Sequence, residues 1–346
     1  MTGSSADEIL TRAEPDCPVC RSQGVELYAG MRDRLFGAPG DWRLKVCKNT
    51  VCGLAWLDPM PREDQIARAY RHYYTHAAQE GARQASGRLY LEIANAYVAA
   101  RYGYRDVAVC RTGRWLRPLV ALIPGRRLDF ELSVMCLPAA ACGTLLEVGC
   151  GSGEFLARMR QFGWVVEGVD PDPRAVQQAA ALGLAVYESD LWQRAYADNR
   201  FDAIVLSHVI EHVPDPEALM RECWRILKPG GRMVIVTPNI QSWGHARFGA
   251  DWRGLEPPRH LQIFSIAALR TLCERAGFGR VNCRSIAHAR VIWMASWGLR
   301  AGRRLDLATP APALVRRWAD VMELVEYFRI KLDPCAGEEL LLRAVK

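Results

Sequence analysis

The run Leu145-Leu-Glu-Val-Gly149-Cys-Gly151-Ser-Gly153-Glu154-Phe155 constrains the fold more than any other stretch of the chain. Its apolar start reads as a buried strand, its alternating glycines as a tight turn, and its end as the opening of an amphipathic helix. Phe155, Leu156, Met159 and Phe162 fall on one helical face. Apolar runs of strand length recur at Val165 to Val169, Ala203 to Leu206 and Met233 to Thr237. Amphipathic segments separate them, the alternation that builds a parallel sheet covered by helices. Asp172 before Pro173 and Asp215 before Pro216 each place an N-cap acceptor ahead of a proline. The missing proline N–H costs nothing in a first helical turn. Ser265 caps a third helix, which Gly277 closes, and Glu339 to Val345 reads as a final strand.

Glycines at such a turn permit positive φ and let a ligand approach the backbone. The dinucleotide fingerprint Gly-x-Gly-x-x-Gly is the first comparison, because it seats a pyrophosphate on a helix N-terminus. Here the spacing is Gly-x-Gly-x-Gly, and Glu154 fills the slot of the fingerprint's last glycine. An acidic residue there suits the helix dipole but repels a pyrophosphate, and Glu147 adds a second negative charge. S-adenosylmethionine has no phosphate and carries a cationic sulfonium and an ammonium, so the charge pattern favours it. Asp170 ends the second strand about 20 residues on, where an acidic side chain binds both ribose hydroxyls. Dinucleotide enzymes use the same device, so Asp170 alone does not discriminate.

Four blocks appear in order: Leu146-Glu-Val-Gly-Cys-Gly-Ser-Gly-Glu, Gly168-Val-Asp-Pro, Phe201-Asp-Ala-Ile-Val-Leu-Ser-His-Val-Ile-Glu-His-Val, and Leu227-Lys-Pro-Gly-Gly-Arg. Together they resemble class I S-adenosylmethionine-dependent methyltransferases, over roughly residues 140 to 285 with the last strand. The resemblance implies an α/β, Rossmann-like sheet of seven strands with the last one antiparallel. It implies that Glu147 and the loop of Gly149, Cys150, Gly151 and Gly153 border the methionine part of the cofactor. Asp170 would hold the ribose, Asp190 and Leu191 would border the adenine, and Ser207 and His208 would line the pocket where the fourth strand ends.

Met1 to Asp16 lacks the apolar core of a signal peptide. No run approaches the ~18 to 20 apolar residues of a membrane span. The expected compartment is the cytoplasm, where clustered cysteines mean metal or chemistry more often than disulfides. Cys17-Pro-Val-Cys20 and Cys47-Lys-Asn-Thr-Val-Cys52 offer two pairs of thiolates, a set suited to structural, tetrahedral Zn²⁺. So small a module hardly buries a core without metal. The segment Trp56-Leu-Asp-Pro-Met-Pro resembles the linker that follows an N-terminal zinc ribbon in some methyltransferases. The division expected is a disordered lead-in over 1–16, a zinc-ribbon-like module over 17–58 and a helical linker and substrate-lid region over 59–140. A methyltransferase domain then occupies 141–346, with a helical insertion at 286–337 before the last strand.

Methyl transfer to a hydroxyl or a weakly acidic C–H calls for a base. The candidates are His260, in the loop after the fifth strand, and His208 with Glu211, where the fourth strand ends. Arg259 stands beside His260 as a partner for an anionic group on the substrate. A formal net charge of +7, spread along the chain, fits an anionic partner and does not mark a dedicated nucleic-acid binder. The leading acceptor is a small molecule or a cell-surface glycan, lipid-linked or not, methylated on oxygen or carbon. Two rivals stand beside it: an RNA base methyltransferase and a catalytically silent cofactor-binding scaffold. The module has no aromatic-interleaved basic run of the kind that stacks bases, which weighs against nucleic acid. Arginine- and tryptophan-rich stretches (Arg114 to Arg117, and Trp293, Met294, Trp297, Arg300, Arg303 and Arg304) read as lids over a pocket or as peripheral membrane contacts. The sequence leaves oligomeric state open.

Overall fold

The computed structural model describes residues 8–71, 88–104, 113, 115–118, 123–302 and 312–346. Short strands come first: β1 (Thr11–Arg12), β2 (Gly24–Met31), β3 (Trp42–Cys47), β4 (Ala55–Leu57) and β5 (Met60–Pro61). Helices α1 (Ile66–Ala69), α2 (Arg88–Tyr102) and α3 (Pro124–Leu132) lead to the main sheet. There strands and helices alternate as β6 (Thr144–Val148), α4 (Glu154–Gln161), β7 (Val165–Asp170), α5 (Pro173–Ala181), β8 (Ala185–Glu188), β9 (Phe201–Ser207), α6 (Pro216–Ile226) and β10 (Leu227–Pro238). The chain continues through α7 (Trp243–Phe248), β11 (Gln262–Ile263), α8 (Ile266–Arg275), β12 (Gly279–Ile286), α9 (Arg290–Arg300), α10 (Ala313–Leu332) and β13 (Glu339–Val345).

The main sheet has seven strands in the order β12-β13-β10-β9-β6-β7-β8. Strands β8, β7, β6, β9 and β10 run parallel, whereas β13 is antiparallel to both β10 and β12. The expected caps form: Asp172 accepts from Arg174 N at 2.9 Å, Asp215 from Ala218 N at 2.9 Å and Ser265 from Ala268 N at 3.0 Å. Each such cap contributes about 1 kcal/mol. Leu156 and Met159 of α4 are fully buried, as are Met220, Cys223 and Ile226 of α6. Burying an aliphatic side chain of this size contributes roughly 1.5–3 kcal/mol, so these helix faces hold the layers together.

The N-terminal region is tied in more firmly than its composition suggests. Residues 8–16, expected to belong to a disordered lead-in, are fixed by backbone pairing: β1 pairs with β5, and Trp56 Nε1 donates to Glu14 O at 2.8 Å. Ile9 is buried as well, while residues 1–7 lie outside the described ones. The cysteine-bearing strands form a second sheet, β11-β4-β3-β2, whose edge strand β11 comes from the methyltransferase-like half. Of the arginine- and tryptophan-rich stretches, Trp293 is buried and Trp115 is exposed, and Arg114, Arg303 and Arg304 lie outside the described residues. Among the described residues, no helix is long and apolar enough to cross a membrane.

One buried acid pair makes stability depend on pH. Glu338 accepts from Trp252 Nε1 (2.7 Å), Trp293 Nε1 (3.0 Å), Gly244 N and Ser242 Oγ. Glu326 of α10 accepts from Glu338 N, and its Oε2 has no hydrogen-bond partner. Burial pushes the Glu338 carboxyl up to about 7, and burial together with Glu338 pushes Glu326 well above its ordinary value. Both acids therefore keep protons in the folded chain that the unfolded chain releases, so stability is full at acidic pH and falls as pH rises through neutrality. Glu326→Gln is expected to flatten that fall. In urea melts, the stability lost between pH 6 and pH 8 should shrink by about 1 kcal/mol or more.

Candidate active site

Register sets the first half of the site. Val148 of β6 pairs with Val169 of β7 and with Leu206 of β9, so Gly149, Asp170 and Ser207 stand at one height on the carboxyl edge of the sheet. Open α/β sheets bind ligands at that edge. Gly149 has φ +71°, and a Cβ there would meet Val209 Cγ2 at 2.5 Å. Gly153 has φ +76°, and its Cβ would lie 2.7 Å from Ala179 Cβ. Both positions therefore require glycine. Cys150 is buried, its N donating to Val169 O at 3.1 Å. Asp170 steadies the loop, accepting from Gly151 N at 2.8 Å through Oδ2 and from Asp172 N at 2.9 Å through Oδ1.

Glu147 is buried beneath this loop, and its Oε2 accepts no hydrogen bond. Burial, then the nearby Asp170, drive its carboxyl well above the ordinary range. A cationic ligand at the loop would supply the missing partner and restore the charge, whereas a pyrophosphate would meet two carboxylates. The residues present thus fit S-adenosylmethionine. Leu191 is buried, and Asp190 Oδ1 accepts from Gln193 N at 2.7 Å, in the turn beyond β8.

The second half is an acid–imidazole cluster where β9 ends. His208 adopts φ +55°, a left-handed conformation uncommon for a residue with a side chain, and its side chain is 44% exposed. Its Nδ1 lies 3.4 Å from Glu211 Oε1 and its Nε2 lies 3.3 Å from Glu339 Oε1. Burial opposes its charge, but Glu339 and Glu211 overcome that and raise it to about 10. Glu339 also meets His288 Nδ1 at 2.8 Å. Glu211 is fully buried and accepts from Thr237 Oγ1 at 2.9 Å. Against its burial, His208 and His212 hold it down at about 2.

His260 faces inward: its side chain is 7% exposed, and Nδ1 lies 2.7 Å from Gly254 O. Its ring centroid is 4.8 Å from that of His212, whose Nδ1 contacts Arg259 O at 3.0 Å and Tyr70 Oη at 2.9 Å. Arg259 is not available to a substrate. Its guanidinium is buried against Asp33 (2.8 Å) and Glu256 (2.8 Å) and packs over Phe36. Asp33 belongs to the cysteine module, so this ion pair clamps the module to the His260 loop. Tyr70, His288 and Glu339 escaped the sequence reading. Glu339 carried a signal, a charged residue heading the apolar run Leu340 to Leu342, where only a partner justifies burial.

Cys17, Cys20, Cys47 and Cys52 converge, with all four sulfurs within 4.8 Å of one another. The Sγ atoms of Cys17 and Cys52 are 3.7 Å apart, and those of Cys20 and Cys47 are 3.3 Å apart. Tetrahedral zinc with Zn–S bonds of about 2.3 Å sets sulfurs roughly 3.8 Å apart, so the donor set fits the ion.

A family model described as a methyltransferase domain matches residues 126–281. A ubiquinone biosynthesis O-methyltransferase of Cereibacter sphaeroides is 34% identical over 169 residues, 45% of this chain and 68% of the relative. One from Xanthomonas oryzae is 36% identical over 130 residues, 36% of this chain and 53% of the relative. Among solved structures, a SAM-dependent methyltransferase from Archaeoglobus fulgidus aligns at a TM-score of 0.44 and 21% identity, covering 64% of this chain and 92% of its own. The chain belongs to the class I S-adenosylmethionine-dependent methyltransferases, and it is an enzyme of that family.

Proposed function

We propose that this enzyme methylates an oxygen of a small-molecule acceptor. The observation that carries the reading is the cluster of His208, Glu211, His212 and His260 beside the carboxyl edge of β9. A hydroxyl acceptor needs a group that takes its proton as the methyl arrives, and such a cluster supplies one. The names of the relatives, as O-methyltransferases of ubiquinone biosynthesis, favour oxygen over carbon and a small molecule over a glycan. No membrane-spanning helix stands among the described residues, and we place the enzyme in the cytoplasm.

When bound, the cofactor supplies a methyl group activated on a sulfonium. The chain's part is to hold donor and acceptor in line. Glu147 pairs with the donor's ammonium through its unpartnered oxygen, and the loop of Gly149, Cys150, Gly151 and Gly153 wraps the methionine chain. Asp170 takes the ribose hydroxyls, Asp190 and Leu191 border the adenine, and Ser207 and His208 border the transferred methyl. His208 is the half-exposed member of the cluster and faces the acceptor; held charged by Glu339 and Glu211, it steadies the acceptor's oxygen, and the proton passes to the groups beneath it, Glu211 and His260. The sequence suggested His260 as the direct base; its burial favours an indirect role. Cys17, Cys20, Cys47 and Cys52 bind a structural Zn²⁺, in a module that includes residues 8–16 as well as 17–58.

The test is to incubate the purified protein with S-adenosylmethionine and panels of phenolic and sugar-hydroxyl acceptors. S-adenosylhomocysteine should accumulate only with an acceptor, and the product should carry an O-methyl signal by NMR. A donor that binds but is consumed with no hydroxyl acceptor, or a product methylated on carbon, would overturn the reading.

A further inference from the structure

Beneath His208, one donor atom each from Glu211, His212 and His260 lies within 4.8 Å of the other two. The Gly254 carbonyl only accepts hydrogen bonds, so His260 donates to it from Nδ1 at 2.7 Å, whereas His212 Nδ1 lies between the Arg259 carbonyl (3.0 Å) and Tyr70 Oη (2.9 Å). His260 is thereby held as the tautomer whose Nε2 carries a lone pair, and the tautomer of His212 that donates to Arg259 O leaves its Nε2 free in the same way. Between them, Glu211 is 0% exposed; one oxygen accepts from Thr237, while Oε1 lies 3.4 Å from His208 Nδ1. Two imidazoles beside backbone carbonyls and one buried carboxylate are the donor types of a transition-metal site.

We propose that Glu211, His212 and His260 bind a divalent transition-metal cation, distinct from the ion held by the four cysteines. An N,N,O donor set suits Zn²⁺, Co²⁺, Mn²⁺ or Fe²⁺ and leaves a coordination position open, as sites that act on substrates do. Glu256 adds a second negative charge, its Oε2 lying 3.7 Å from His260 Nε2. The role of this ion rests on the proposed O-methylation: a cation here would take the acceptor's oxygen and ease loss of its proton. The site itself stands on the side chains alone.

The experiment uses the full chain, first loaded with zinc and gel-filtered so that the thiolate site is filled, then titrated with Co²⁺. A further equivalent should bind, with visible d–d absorption and no sulfur-to-cobalt charge-transfer band. His212→Gln and His260→Gln should keep their zinc and their far-UV circular dichroism but bind this cobalt at least about 100-fold more weakly. A folded wild-type protein that takes up no cobalt beyond the thiolate site overturns the proposal, and that result does not depend on any variant. Cobalt uptake unchanged in both variants overturns it too. Calorimetry with S-adenosylmethionine on the same samples separates the two readings. Normal cofactor binding without a second metal sinks only the metal site, and a second metal without cofactor binding sinks only the methyl-transfer pocket.

Discussion

Asp170→Ala is expected to weaken S-adenosylmethionine binding by roughly 100-fold or more in calorimetric titration, while the protein stays folded. The carboxylate is assigned two jobs. It accepts from Gly151 N and Asp172 N, holding the glycine loop, and it is the proposed acceptor for the ribose hydroxyls. Hydrogen bonds to a charged group contribute about 1.5–3 kcal/mol each, so losing the pair to the ribose costs about 3 kcal/mol or more. Asp170→Asn keeps one acceptor oxygen and should fall between the two. Equal affinity in wild type and Asp170→Ala would mean that the ribose does not sit on this strand end, and the whole cofactor assignment would fall with it.

The second large effect is expected at the cysteines. With zinc on the four thiolates as proposed, Cys47→Ser should release it to a chromophoric chelator and lower the melting temperature by at least about 10 °C. Structural zinc contributes on the order of 10 kcal/mol to folding, and loss of a metal is among the few single changes that cost more than about 4 kcal/mol. The damage should not stay in the module. Cys17, Val19, Cys47, Cys52, Leu54 and Trp56 belong to the same apolar cluster as Leu206, Met233 and Leu342 of the main sheet. Ser265 Oγ donates to Cys52 O, and Arg275 donates to Val19 O, so α8 is docked directly on the knuckles. A Cys47→Ser protein that melts with the wild type would show that the thiols are packing residues and nothing more.

What could be read from sequence was local. The final strand at Glu339 to Val345 has the limits that its run suggested, and Asp172, Asp215 and Ser265 cap as their spacing required. These features depend on neighbours a few residues away, where periodicity and capping act. The glycine loop was legible for the same reason. The clamp of Arg259 between Asp33 and Glu256 was not, because a basic residue next to a histidine looks identical whether it meets a substrate or a carboxylate far off in the chain. Nor was the inward turn of His260 or its meeting with His212. Both depend on a loop whose path is fixed by Leu261 N donating to Glu211 O at 2.8 Å.

The pairing of β11 with β4 has a consequence for how the chain is made. Gln262 and Ile263 lie roughly 200 residues downstream of the Trp56 and Ala55 they pair with, and ribosomes add about 5–20 residues per second. The nascent cysteine module therefore spends on the order of ten seconds or more with one sheet edge bare and Asp33 without its arginine. An ion captured early by the four thiolates would keep that half-built sheet in register until its last strand arrives. Zinc supply during translation, rather than afterwards, would then set the yield of active enzyme.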